Sequence, residues 1–144
     1  MNETITSILK NKGAEIYSIA PDAPVHDAIA IMAEKRVAAV LVLVKGKLAG
    51  IVSAKDYGSK VVLRGRSARD TRVQEIMTTP VVTVTLEATT WECMAIMTQH
   101  HIRHLPVFSK GDLVGMVSLG DLARAVIADQ AFQIDQLMTY VGQK

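Results

Sequence analysis

The sequence predicts an α/β chain of the α+β type, built as two tandem units of order strand-helix-strand-strand-helix. Three observations carry that prediction. Residues 18–62 recur as residues 83–127 at a constant offset of 65. Gly50-Ile51-Val52-Ser53-Ala54-Lys55-Asp56 returns as Gly115-Met116-Val117-Ser118-Leu119-Gly120-Asp121, Ala30-Ile31-Met32 as Ala95-Ile96-Met97, and Lys45-Gly46 as Lys110-Gly111. A period this long, present twice, indicates two copies of a small domain rather than a solenoid. Within each copy the apolar spacing switches between strand and helix periods. Each copy is also only about 60 residues long, where a lone core is marginal, so the halves are expected to stabilise each other about a pseudo-two-fold axis.

The elements follow in order. Thr4 to Lys12 places Ile5, Ile8 and Leu9 at helical spacing and stops at Gly13, outside the repeat. Glu15 to Ala20 alternates as a strand and is closed by Pro21-Asp22-Ala23-Pro24. Val25 to Lys35 is an amphipathic helix with Val25, Ala28, Ile29, Met32 and Ala33 on one face. Ala38 to Val44 is a continuous apolar run of strand length, hence buried on both faces. Lys45-Gly46-Lys47 turns the chain into an antiparallel strand to Ser53, and a helix from Ala54 to about Leu63 completes copy one. Copy two repeats this with a strand near Val81 to Val84, a helix Trp91 to Gln99 and a strand Leu105 to Phe108. The turn Ser109-Lys110-Gly111-Asp112, a strand Leu113 to Ser118 and a helix Leu119 to Ala128 follow. We divide the chain as 1–15 leading helix, 16–63 first unit, 64–80 Arg-rich linker, 81–128 second unit and 129–144 tail. The tail holds Phe132, Ile134, Leu137, Met138 and Tyr140, more apolar residues than a free tail needs, and is expected to pack on its own core or on a partner subunit.

Composition narrows the function. Of 144 residues, 49% are apolar, aromatics are scarce, and 16 Lys and Arg face 14 Asp and Glu, a net charge of +2 that speaks against a nucleic-acid footprint. The lone Cys93 forms no internal disulfide and falls on a helix face as a small core residue. No apolar run approaches a membrane span and the start does not read as a signal peptide, so a soluble, cytoplasmic protein without membrane partners is expected.

The repeated Gly-x-x-Ser-x-x-Asp sits in both copies where a strand ends and a helix starts. As architecture it is a capping box, with Ser53 or Ser118 at the N-cap and Asp56 or Asp121 three residues on. As chemistry the same geometry offers a helix N-terminus and a hydroxyl to phosphate, a carboxylate to the vicinal hydroxyls of a ribose, and a glycine that permits close backbone approach. With the Leu105-Pro106-Val107 strand, the hairpin glycines and the element order, residues 16–128 resemble tandem CBS domains, the Bateman module first named for cystathionine β-synthase, and specifically its small stand-alone bacterial members. The resemblance implies two βαββα units packed through their sheets, a homodimer, and adenosine-containing ligands in clefts between the units: AMP, ADP, ATP or NAD, and with less support S-adenosylmethionine. Carried over by position, cleft one takes ribose on Asp121 and phosphate near Ser118, with Gly115, Pro106, Arg103 and His104 beside them and Ser18, Ile19, Val37 and Ala38 from the other copy. Cleft two takes Asp56, Ser53, Lys55 and Gly50 with Thr83, Val84, Ile102 and Arg103. Lys55 stands where relatives often carry Arg and lacks its bidentate fork. Ala38-Ala39 faces Arg103-His104 in the alignment of copies, so the phosphate-rich ligand is expected at Asp121.

His100, His101 and His104 have no carboxylate or thiol in register to complete a metal site. Arg64, Arg66, Arg69 and Arg72 read either as a solvated linker or as reach toward a phosphate. Nothing assembles a nucleophile, base and orienting group, which speaks against an enzyme. The sequence therefore points to a regulatory nucleotide-binding module acting on an effector protein it does not identify. The alternative is a ligand-free interaction module, since capping alone explains both motifs.

Overall fold

The computed structural model describes residues 3–142. In chain order the elements are α1 (Ile5–Lys12), β1 (Ser18–Ile19), α2 (Val25–Lys35), β2 (Ala39–Val44), β3 (Lys47–Ser53), α3 (Ala54–Tyr57) running into a π-helical turn (Gly58–Val62), α4 (Val73–Ile76), β4 (Val84–Thr85), α5 (Thr90–His100), β5 (His104–Ser109), β6 (Asp112–Ser118) and α6 (Leu119–Gly142). Two three-stranded sheets result, β1-β2-β3 and β4-β5-β6, each with one parallel and one antiparallel pairing.

Both hairpins are two-residue turns. Lys45 and Gly46 have φ of 52° and 78°, and Lys110 and Gly111 of 52° and 84°. Positive φ at both central residues matches the twist of the flanking strands, and glycine supplies the second without strain. Helices α2 and α5 both end in a left-handed residue, Arg36 and His101, whose N–H returns to the carbonyl of Met32 and Met97 respectively. The buried positions of the two copies correspond: Ala28 with Cys93, Met32 with Met97, Val40 with Leu105, Val42 with Val107 and Val52 with Val117.

The chain divides into two compact units, Glu15–Val82 on one hand and the N-terminal segment to Ala14 with the chain from Thr83 onward on the other. We call them the first-copy and second-copy units. The N–H groups of Ile5 and Thr6 donate to the carbonyls of Ala88 and Leu86, at 3.0 and 3.3 Å, while those of Val73 and Gln74 donate to Ala23 and Pro21, at 2.9 and 2.8 Å. The acceptors correspond at the offset of 65, so the donors correspond too, at 68. Helix α1, expected outside the repeat, is thus the counterpart of α4. Each leading helix packs on the copy that does not follow it directly.

Four elements differ from expectation. Strand β1 is shorter than Glu15–Ala20, and β4 begins at Val84 rather than Val81. In the first copy Leu41 N–H bonds the Tyr17 carbonyl at 3.0 Å and extends the ladder. Its counterpart Pro106 has no N–H, so β4 starts later. The helix expected over Ala54–Leu63 is α-helical only to Tyr57, because Gly58 weakens it where the second copy has Ala123. The tail does not pack on its own unit: α6 continues unbroken to Gly142, and its residues from Gln130 on are exposed.

Candidate functional site

In both units the strand-to-helix junction is a closed capping box. The N–H of Ser53 donates to Asp56 Oδ2 at 2.9 Å and the N–H of Asp56 donates to Ser53 Oγ at 3.2 Å. Ser118 and Asp121 repeat these bonds at 2.8 and 3.1 Å. Both carboxylates are buried. The N–H of the first residue of each helix donates back to the residue before the central strand, Ala54 to Ala38 at 2.9 Å and Leu119 to Arg103 at 2.8 Å. The fold therefore gathers Ser18, Ile19, Val37, Ala38, Ser53, Lys55 and Asp56 at one end of the first-copy sheet. Thr83, Ile102, Arg103, His104, Ser118 and Asp121 collect at the matching end of the other sheet.

The surroundings of the two carboxylates diverge. Asp56 Oδ1 lies 2.9 Å from Lys60 Nζ, one helical turn on, and 3.5 Å from the hydroxyl of Thr78. Asp121 is met by Lys12 Nζ of α1 at 3.0 Å on Oδ2 and by Arg124 Nη2 at 2.5 Å on Oδ1. Burial works to raise the pKa of Asp121. The Ser118 backbone N–H, the Lys12 ammonium and the Ser118 hydroxyl outweigh it and hold the carboxyl below its usual range. Burial depresses the pKa of His104; Asp121 opposes this, and Lys12 and Arg103 reinforce it, so the ring stays neutral at neutral pH. Lys12, Asp121 and Arg124 border an open cavity of about 310 Å³ whose other walls include Ile8, Asn11 and Ala125.

Some expected site residues have other roles. A Cβ on Gly50 would lie 2.6 Å from Met77 Sδ, and one on Gly115 would lie 2.9 Å from Leu9 Cδ1. The close approach expected at these glycines is present, and the side chains that make it are Met77, just past α4, and Leu9 of α1. Val84 and Pro106 are buried in their sheet. Of the linker arginines, Arg66 pairs with Glu75 and Arg72 donates to the Asp22 carbonyl at 2.8 Å, so both are engaged in the first-copy unit. Cys93 is buried, and desolvation followed by the neighbouring Glu92 charge pushes its thiol up to about 11, which removes it as a nucleophile at neutral pH.

Sequence reasoning missed Lys12, Thr78 and Arg124. Arg124 was signalled by its i,i+3 spacing from Asp121. Lys12 was signalled only by the second offset, which aligns α1 with α4. Among the described residues no three His, Cys, Asp or Glu side chains gather as a metal site, and no helix is long and apolar enough to cross a membrane.

Comparison with known proteins places these features. The CBS domain profile matches residues 11–57 and 73–128. A mitochondrial CBS domain-containing protein of Arabidopsis thaliana is 35% identical over 147 residues, covering 96% of this chain and 71% of the relative. The solved structure of a candidate signal-transduction protein with CBS domains from Burkholderia ambifaria has a TM-score of 0.86 at 50% identity, covering 88% of this chain and 96% of the other. A hexameric CBS-CP12 protein from bloom-forming cyanobacteria has a TM-score of 0.76 at 28% identity, covering 85% of this chain and 71% of the other.

Proposed function

The chain belongs to the CBS-domain family and carries the domain twice, and from that premise we propose that it is a regulatory module binding an adenosine-containing nucleotide, AMP, ADP, ATP or NAD, with its ribose on Asp121. The observation that carries the reading is the setting of Asp121: a buried carboxylate kept ionised at a helix N-terminus, between the Lys12 and Arg124 cations, with its charge felt at His104. An ionised carboxylate accepts two hydrogen bonds from vicinal hydroxyls, and such charge-assisted bonds are the strong ones. When the ribose takes the carboxylate, Lys12 and Arg124 are released toward phosphate, so one ion pair is exchanged for another. Binding becomes a signal only through differential affinity for two states, whether of the chain or of a homodimer, read by an effector protein.

The test is calorimetric titration with AMP, ADP, ATP, NAD and S-adenosylmethionine. Saturable binding of at least one nucleotide is expected; no heat from any of them at millimolar concentration overturns the reading. Lys12→Met, which keeps the aliphatic stem, should raise affinity for adenosine and lower it for ATP. Equal affinities in variant and wild type would remove Lys12 from the site.

A second reading has its own support. Both capping boxes are complete without a ligand, so the pair also serves as a ligand-free interaction platform. Unchanged partner affinity across all nucleotides would favour it.

A further inference from the structure

The C-terminal half of α6 is a helix without a partner inside its own unit. Ile127, Ile134, Leu137, Met138 and Val141 are each more than half exposed. A helix of this length in water is marginal unless its apolar face is covered. The apolar residues fall on a heptad seam: Ile127, Ile134 and Val141 at one core position, Gln130 and Leu137 at the other, and Ala131 and Met138 flanking them. Phe132 falls off the seam, and Tyr140 lies at its edge rather than in it. From Ala125 to Gly142 the charged residues are Asp129 and Asp135, and neither lies on the seam or beside it. Nothing there repels an identical helix. The absence of Lys and Arg from this stretch disfavours an anionic membrane surface as the occupant.

We propose that the segment Ile127–Val141 of α6 pairs in parallel and in register with the same segment of a second copy of the chain. β-branched residues at the first core position with Leu at the second favour a parallel two-stranded coil, and one polar residue in the core, Gln130, fixes register by facing its own copy. The pairing stands apart from nucleotide binding, since no seam residue belongs to either Ser–Asp pair.

The experiment combines light scattering with site-directed cross-linking in a Cys93→Ala background. The wild-type protein is a dimer, and Ile134→Asp/Leu137→Asp, changed at exposed positions and checked for retained circular dichroism, raises the dissociation constant by about 100-fold or more. Ile127→Cys and Val141→Cys each form a disulfide dimer on mild oxidation, whereas Thr139→Cys on the outer face does not. A monomeric wild-type protein, or a double variant that remains dimeric, overturns the proposal. Cross-linking only in a mixture of the Ile127→Cys and Val141→Cys proteins overturns the parallel register.

Discussion

The two units solve one local problem with different atoms. In the first-copy unit the carbonyl of Ile51 accepts the Thr78 N–H at 2.8 Å, and the Thr78 hydroxyl reaches Asp56. In the second-copy unit the matching carbonyl, Met116, and the matching carboxylate, Asp121, both take Lys12 Nζ, at 2.8 and 3.0 Å. The carbonyl takes a backbone N–H in one unit and an ammonium in the other, and each carboxylate has its own lysine: Lys60 from the following helical turn for Asp56, and Lys12 from the longer leading helix for Asp121. Duplication has kept the backbone frame and the capping box and let the electrostatics diverge. Asp121 is met by two cations, Lys12 and Arg124, whereas Asp56 is met by one, Lys60, and by the hydroxyl of Thr78.

The largest effect is expected from removing residues 1–14. Ile5, Ile8 and Leu9 are buried in the second-copy unit, and losing three such side chains costs roughly 5–9 kcal/mol, comparable to a small domain's whole stability of about 5–15 kcal/mol. Amide hydrogen exchange should show protection lost from Thr83 onward and retained between Glu15 and Val82. Loss spread evenly over both would refute the pairing of α1 with the second copy.

A milder test sets glycine against glycine. A Cβ at position 115 meets the branched end of Leu9, at 2.9 and 3.1 Å, whereas one at position 50 lies 2.6, 3.0 and 3.2 Å from Sδ, Cγ and Cβ of Met77. Overpacking costs about 1–3 kcal/mol, and a clash that reaches the Cβ is not relieved by turning the side chain alone. Gly50→Ala should therefore lower the melting temperature more than Gly115→Ala, and the reverse order would show that Met77 repacks around the added methyl.

The smallest effect is in pH. His104 has a depressed pKa in the fold and its counterpart Ala39 does not titrate. Below about 6.5 the unfolded imidazole takes a proton that the folded one resists, so stability falls as pH drops through that window toward the folded pKa. His104→Gln should flatten this slope in chemical denaturation; an unchanged slope would assign it elsewhere.

Much of this was legible in the sequence. The offset of 65 gives both sheets, both hairpins and both Ser–Asp pairs, because strand alternation, turn glycines and capping boxes are local codes. What was not legible is of two kinds. The second offset of 68 is carried only by Ile5 and Ile8 against Val73 and Ile76, too few residues to register beside the main repeat, which by itself says nothing of α1 and Lys12. Strand ends and the fate of the tail depend on partners distant in sequence: Pro106 decides where β4 starts, and the exposure of α6 beyond Gln130 is a matter of what reaches it. Gly50 and Gly115 carried a true signal of close approach, but spacing alone did not say that Met77 and Leu9 are what approach.

The proposed function makes the two like sites unequal, with Asp121 in the stronger. Titration of Asp121→Asn and Asp56→Asn with AMP tests it directly, since Asn keeps the shape and the helix cap while removing the charge. Loss of charge-assisted hydrogen bonds is worth about 1.5–3 kcal/mol, so Asp121→Asn should weaken AMP by roughly 10- to 100-fold, and Asp56→Asn should change it far less. Equal losses in the two variants, or full affinity in Asp121→Asn, would contradict the account.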